Sequence, residues 1–208
     1  MSSVAWPSPW RMRGLELRID VDREDARLED ELDVLQRRLA RPGDALHGIA
    51  CEPLALPGFR LHWREADGEL YVYVEDVLRR RLAGCTVFNR LIELDARADR
   101  HLRSPHSRYR AAYRRRGLAS AVYRRSLDAG MCLLTGVRQS GGAHALWRRL
   151  GADYPLHGVH LRDRVLRCLG DDLDAALHDD LYTRLMLLGR GWTLERLAAE
   201  AGLVPAEG

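Results

Sequence analysis

The chain has 208 residues and 23.7 kDa, 46% hydrophobic and 30% charged, a globular composition that excludes collagenous, disordered and membrane-embedded classes. No apolar run approaches the ~20 residues of a membrane helix, and Met1 to Trp10 lacks the basic-then-apolar pattern of a signal peptide, so a cytoplasmic location is expected. Net charge is +3 from 33 basic and 30 acidic residues, too even to indicate a nucleic-acid partner; all 33 basic residues are arginine, which removes lysine chemistry.

Leu15, Leu17, Ile19 and Val21 alternate with polar residues and predict a first strand. Asp22 then caps a helix with Glu24 and Asp25 in its first turn. Leu28, Leu32, Leu35 and Leu39 give its apolar stripe, and Pro42-Gly43 ends it. Beyond Leu46 the texture is that of strands. Phe59 to Glu65 and Glu69 to Glu75 flank Ala66-Asp67-Gly68, a hairpin signal. Gly84 to Leu94 reads as another strand, and His101 to Tyr109, broken by Ser104-Pro105, as a loop running into one. Ala119 to Ala129 is helical and stops at Gly130; Met131 to Val137 is a short apolar strand; Ser140-Gly141-Gly142 opens another helix, Ala143 to Leu150, closed by Gly151. A final strand occupies Gly158 to Leu166. The sum is an α/β (α+β) fold: a mixed sheet flanked by helices over 1–170, with a helical extension over 171–208. In that extension Thr193 to Leu203 has a capped helix start and a turn like the first half of a helix-turn-helix, without a recognition helix after it. Packing or dimerisation is the preferred role.

Cys51, Cys85, Cys132 and Cys168 are widely spaced, no CxxC or HExxH occurs, and a metal centre is not expected. The stretch Tyr109 to Ser120 carries the chemistry. A strand ends in Arg114-Arg115-Arg116, Gly117 permits close backbone approach, and a helix starts at once. Unpaired amides at a helix N-terminus bind phosphate, and the arginines add charge beside them. The pattern is neither a Walker loop nor GxGxxG, and it suits a diphosphate held by backbone amides.

Arg114-x-x-Gly117-x-Ala119 resembles the Q/R-x-x-G-x-G/A signature of the GCN5-related N-acetyltransferases (GNATs). The downstream Ser140-Gly141-Gly142-Ala143-His144-Ala145-Leu146-Trp147, followed by Gly151, is similar to that family's N-x-x-A-x-x-L-Y helix. The resemblance covers roughly Tyr109 to Tyr154. It implies a mostly antiparallel GNAT-like sheet and acetyl-CoA as co-substrate. Arg114, Arg115, Arg116, Gly117, Leu118, Ala119 and Ser120 would hold the pyrophosphate. Tyr109 would lie on the strand that pairs with the pantetheine arm, and Ser140 would stand where an asparagine touches it. Two departures are plain: the tyrosine that serves as general acid is Trp147, and the carboxylate of the cofactor strand is missing near Arg103.

Acetyl transfer needs a neutral amine, a proton acceptor and oxyanion stabilisation. His101 and His106 are the candidate bases; Tyr154, with Tyr113 behind it, is the candidate acid. The expected function is direct acetyl transfer to an amine of a small molecule or peptide. The alternatives are a CoA-binding protein without turnover and a toxin-like enzyme acetylating aminoacyl-tRNA through Arg79 to Arg81 and Arg108 to Arg116. Acceptor loops are expected at Leu39 to Leu56 and Asp95 to His106.

Overall fold

The computed structural model describes residues 9–136, 140–169 and 182–205, with side chains from Asp25 onward. Its elements are α1 (Pro9–Ala40), β1 (Ala50–Pro53), β2 (Phe59–Ala66), β3 (Glu69–Asp76), β4 (Arg81–Asn89), α2 (Ala96–Asp99), β5 (Leu102–Tyr109), α3 (Leu118–Asp128), β6 (Cys132–Leu134), α4 (Gly141–Leu150), β7 (Leu156–Arg162), β8 (Val165–Cys168), β9 (Thr183–Leu187) and α5 (Leu194–Ala201). The strands form one nine-stranded sheet in the order β1-β2-β3-β4-β5-β6-β9-β7-β8. Every pairing is antiparallel except β5 with β6. No helix among the described residues is long and apolar enough to cross a membrane.

Alternation along the strands divides the core between two faces. Val72, Val74, Leu133, Leu185 and Leu187 pack with α3 and α4, through Leu118, Val122, Leu127 and Leu150. Their strand neighbours face the other way. Tyr73 and Leu82 meet Leu28 and Leu32 of α1, while Cys132, Leu134 and Met186 meet Ala98 of α2 and Leu197 of α5. The β2–β3 hairpin forms as the turn residues require, with Asp67 at φ 56° and Gly68 at φ 78°.

Two expectations are corrected. Leu15 to Val21 is no strand; it lies inside the 32-residue α1. Leu15 with Ile19, and Leu17 with Val21, are also four apart, so the same residues satisfy helical spacing. Of the region after 170, the described residues 182–205 are no helical appendage either. Thr183–Leu187 is β9, seated between β6 and β7, and Leu185, Met186 and Leu187 are fully buried. A strand covered on both faces shows a continuous apolar run rather than alternation, which reads equally well as helix. Among the described residues the expected helix is Leu194–Ala201, capped by Thr193 and ended by Gly202 at φ 71°; residues 170–181 lie outside the described ones.

Asp99 holds the turn from β4 into α2. It is 5% exposed, and its carboxylate accepts from the Leu91 amide at 2.7 Å and Arg90 Nε at 2.8 Å. Burial alone would raise its pKa, but the Leu91 amide and Arg90 outweigh it and hold it below the usual carboxylate range. The stability it adds is therefore complete above the unfolded-state pKa and lost as pH falls through the lower folded one. Asp99→Asn is expected to cost about 1–3 kcal/mol at pH 7. In urea melts the gap from wild type should shrink below roughly pH 4.

Candidate functional site

Strand β5 changes partners along its length. Leu102 and Arg103 pair with Cys132 and Leu133 of β6, and beyond them the two parallel strands part. From Ser104 to Tyr109, β5 pairs only with β4 among the described residues. Arg110 N–H donates to Ala83 O at 3.0 Å, so by alternation the backbone groups of Pro105 and Ser107 point to the opposite, open edge. Pro105, which interrupts the sequence pattern, loses no ladder bond there. The gap opens toward the end of β5 that leads into α3.

That connection is a row of free amides. Ala121 N–H closes the first helical bond on Gly117 O at 2.9 Å, and from Arg115 to Ser120 no backbone N–H meets an acceptor among the described residues. Gly117 sits at φ 80°, and the space in front of it is open: a Cβ built there meets no atom within 4 Å. Amides, helix dipole and open space fit a diphosphate. A cleft of about 590 Å³ runs from Gly117 and Ser120 along α3, walled on the far side by Leu54 and Leu56.

The arginines divide unequally. Arg114 donates from Nε to Tyr109 O at 3.0 Å and pairs with Asp25 of α1. Arg116 lies over the rings of Phe59 and Tyr113, 5.3 Å from each centroid. Arg115, exposed and held at φ 57°, has no partner among the described residues. Arg110 is wholly buried and belongs to the scaffold: it donates to Leu82 O at 2.7 Å and to Asp33 of α1 at 2.5 Å.

Tyr109 is buried, and its ring packs on Gly84. Its hydroxyl lies 3.3 Å from Thr86 Oγ1, and burial raises its pKa. Its carbonyl is taken by Arg114, so Ser107 offers the open backbone pair on this edge. Thr86 Oγ1 is 2.8 Å from Ser107 Oγ, which donates to Tyr123 OH at 3.2 Å. Ser140 caps α4, accepting from Ala143 N–H at 3.2 Å. His106 is exposed on β5, on the face opposite Ser107. His101, just before β5, packs its ring 4.9 Å from that of Trp192.

Tyr154 is placed elsewhere. Its hydroxyl donates to Asp128 at 2.9 Å, tying the end of α4 to the last turn of α3, away from the amides at the start of that helix. Burial first, then Asp128, raises its pKa. Tyr113 is likewise bound to Asp76 at 3.0 Å. Cys132, buried under Gly189, is pushed up to about 11 by burial and is inert as a nucleophile. Ser107, Thr86 and Tyr123 were not marked by the sequence. Pro105 hid the alternation of β5, and Tyr123 sits among the apolar residues of α3.

No family model matches the chain, and no curated protein matches it. Two solved structures are similar. One is RimL, a ribosomal L7/L12 alpha-N-protein acetyltransferase in complex with coenzyme A, 13% identical, at a TM-score of 0.34 over 58% of this chain and 60% of that one. The other is a chimera of the spermidine N-acetyltransferase SpeG from Vibrio cholerae and hSSAT, 16% identical, at a TM-score of 0.34 over 59% of this chain and 68% of that one. The chain thus spans about three fifths of the first of these relatives.

Proposed function

We propose that the protein is an acetyl-CoA-dependent N-acetyltransferase that passes the acetyl group directly to an amine. The observation that carries this reading is the parting of β5 from β6 beside an open row of amides at the start of α3. In this reading the amides from Arg115 to Ser120 hold the diphosphate, with Arg115 as the cation free to join them. The open backbone groups of Ser107 pair with the amide-bearing arm as a missing strand would. When bound, the co-substrate supplies an acetyl group activated as a thioester. His106, on the opposite face of the same strand, takes the proton of the incoming amine.

The alternative aminoacyl-tRNA acceptor would need free cations for its phosphates. Arg79 pairs with Asp76, Arg81 with Glu29, Arg108 with Glu31, Arg110 with Asp33 and Arg114 with Asp25, so five of the eight arginines in those two stretches are already neutralised within the protein. A small or peptidic amine suits this surface better.

A ligand bound only by the folded state raises its melting temperature by mass action, about 2.7 kcal/mol at a hundred times its dissociation constant. Acetyl-CoA should therefore shift the thermal midpoint by several degrees, with NADH and ATP shifting it much less. Equal shifts for all three would mean a general basic patch and would overturn the assignment.

A further inference from the structure

Trp147 stands where the resemblance expects a tyrosine, and it is 3% exposed with its ring 6.4 Å from that of Tyr123, edge to face. We propose that Tyr123 of α3 donates the proton that the departing thiolate requires, an assignment that rests on the acetyl-transfer reading above. Its hydroxyl reaches the stretch of β5 that has lost β6, through Ser107. The ring is fixed from two sides, by Trp147 and by Phe88 of β4 at 6.0 Å. Because Ser107 donates to the Tyr123 oxygen, the phenol's own hydrogen is left to give, and it has no acceptor among the described residues. Thr86 and Tyr109 continue the chain behind Ser107.

The step balances. The amine nitrogen bonds to the acetyl carbon, the carbon–sulfur bond breaks, and the sulfur takes the proton of Tyr123 to leave as free thiol. The surplus proton of the amine, collected at His106 and passed through solvent, restores the phenol. Burial raises the Tyr123 pKa and the Ser107 bond partly offsets it, so the donor stays protonated through neutral pH.

Tyr123→Phe keeps the ring and removes the proton. It should bind acetyl-CoA within twofold of wild type by calorimetry and lower kcat about 100-fold. Ser107→Ala, which removes the bond that lowers the Tyr123 pKa, should move the alkaline limb of the kcat profile to higher pH. A Phe variant that binds and turns over like wild type, or an alkaline limb unmoved in Ser107→Ala, overturns the role of Tyr123 and leaves acetyl transfer standing. Failure of the wild type to bind acetyl-CoA overturns the reading beneath it.

Discussion

Gly117→Glu is expected to abolish acetyl-CoA binding while the protein stays folded. The new carboxylate would enter the open space in front of the amides, the place proposed for the diphosphate, and take their hydrogen bonds itself. Two costs must be kept apart. At φ 80° any L-residue is strained, by about 1–2 kcal/mol, and this lowers stability without touching the ligand. Gly117→Ala carries that strain and nothing else, since its methyl meets no atom within 4 Å. Both variants should therefore melt a few degrees below wild type, and only the glutamate should lose binding in calorimetry. Normal affinity in a folded Gly117→Glu protein would put the diphosphate somewhere other than α3.

The largest loss of stability is expected from Gly84→Ala. A Cβ at this position would lie 2.3 Å from Tyr109 Cδ1 and 2.4 Å from the Arg108 carbonyl oxygen. The first neighbour is a packed ring and the second is backbone of the adjacent strand, so neither can step aside. Overpacking of this kind costs about 3 kcal/mol or more, which in a chain of this size lowers the melting temperature by roughly 6–12 °C. The damage should reach the site as well. Gly84 pairs with Tyr109 at the end of β5, so forcing the strands apart tilts Ser107 and the approach to the amide row. A methyl accepted without loss of stability would show that β4 and β5 are not packed as closely as their register requires.

The elements that sequence reading placed well are those with local punctuation. Asp67-Gly68 fixed the hairpin, Gly130 the end of α3, and Ser140 the start of α4. The amide row was legible for the same reason, because a glycine followed at once by a helix is a local pattern. What was not legible depended on neighbours distant in the chain. Leu185 to Leu187 becomes strand because β6 and β7 stand on either side of it. Arg114 turns toward Asp25 because α1 passes there, an encounter across most of ninety residues. The hydroxyl chain from Tyr109 to Tyr123 joins three elements, and no spacing within one of them announces it.

The place of β9 has a consequence for the chain as it is made. Its inner neighbour, β6, is complete at Leu134, yet the strand that covers its outer edge ends at Leu187, roughly fifty residues later. At translation rates of about 5–20 residues per second, that edge waits some 3–10 s after leaving the ribosome. During that interval Leu133 and Leu134 stand beside unmatched backbone donors and acceptors, an open template for another nascent chain. The β7–β8 hairpin can form in the meantime, but it cannot dock on β6 in its place without excluding β9. The last of the described strands to emerge is thus the keystone that closes the sheet, and slow or interrupted synthesis beyond Leu169 should favour aggregation over folding.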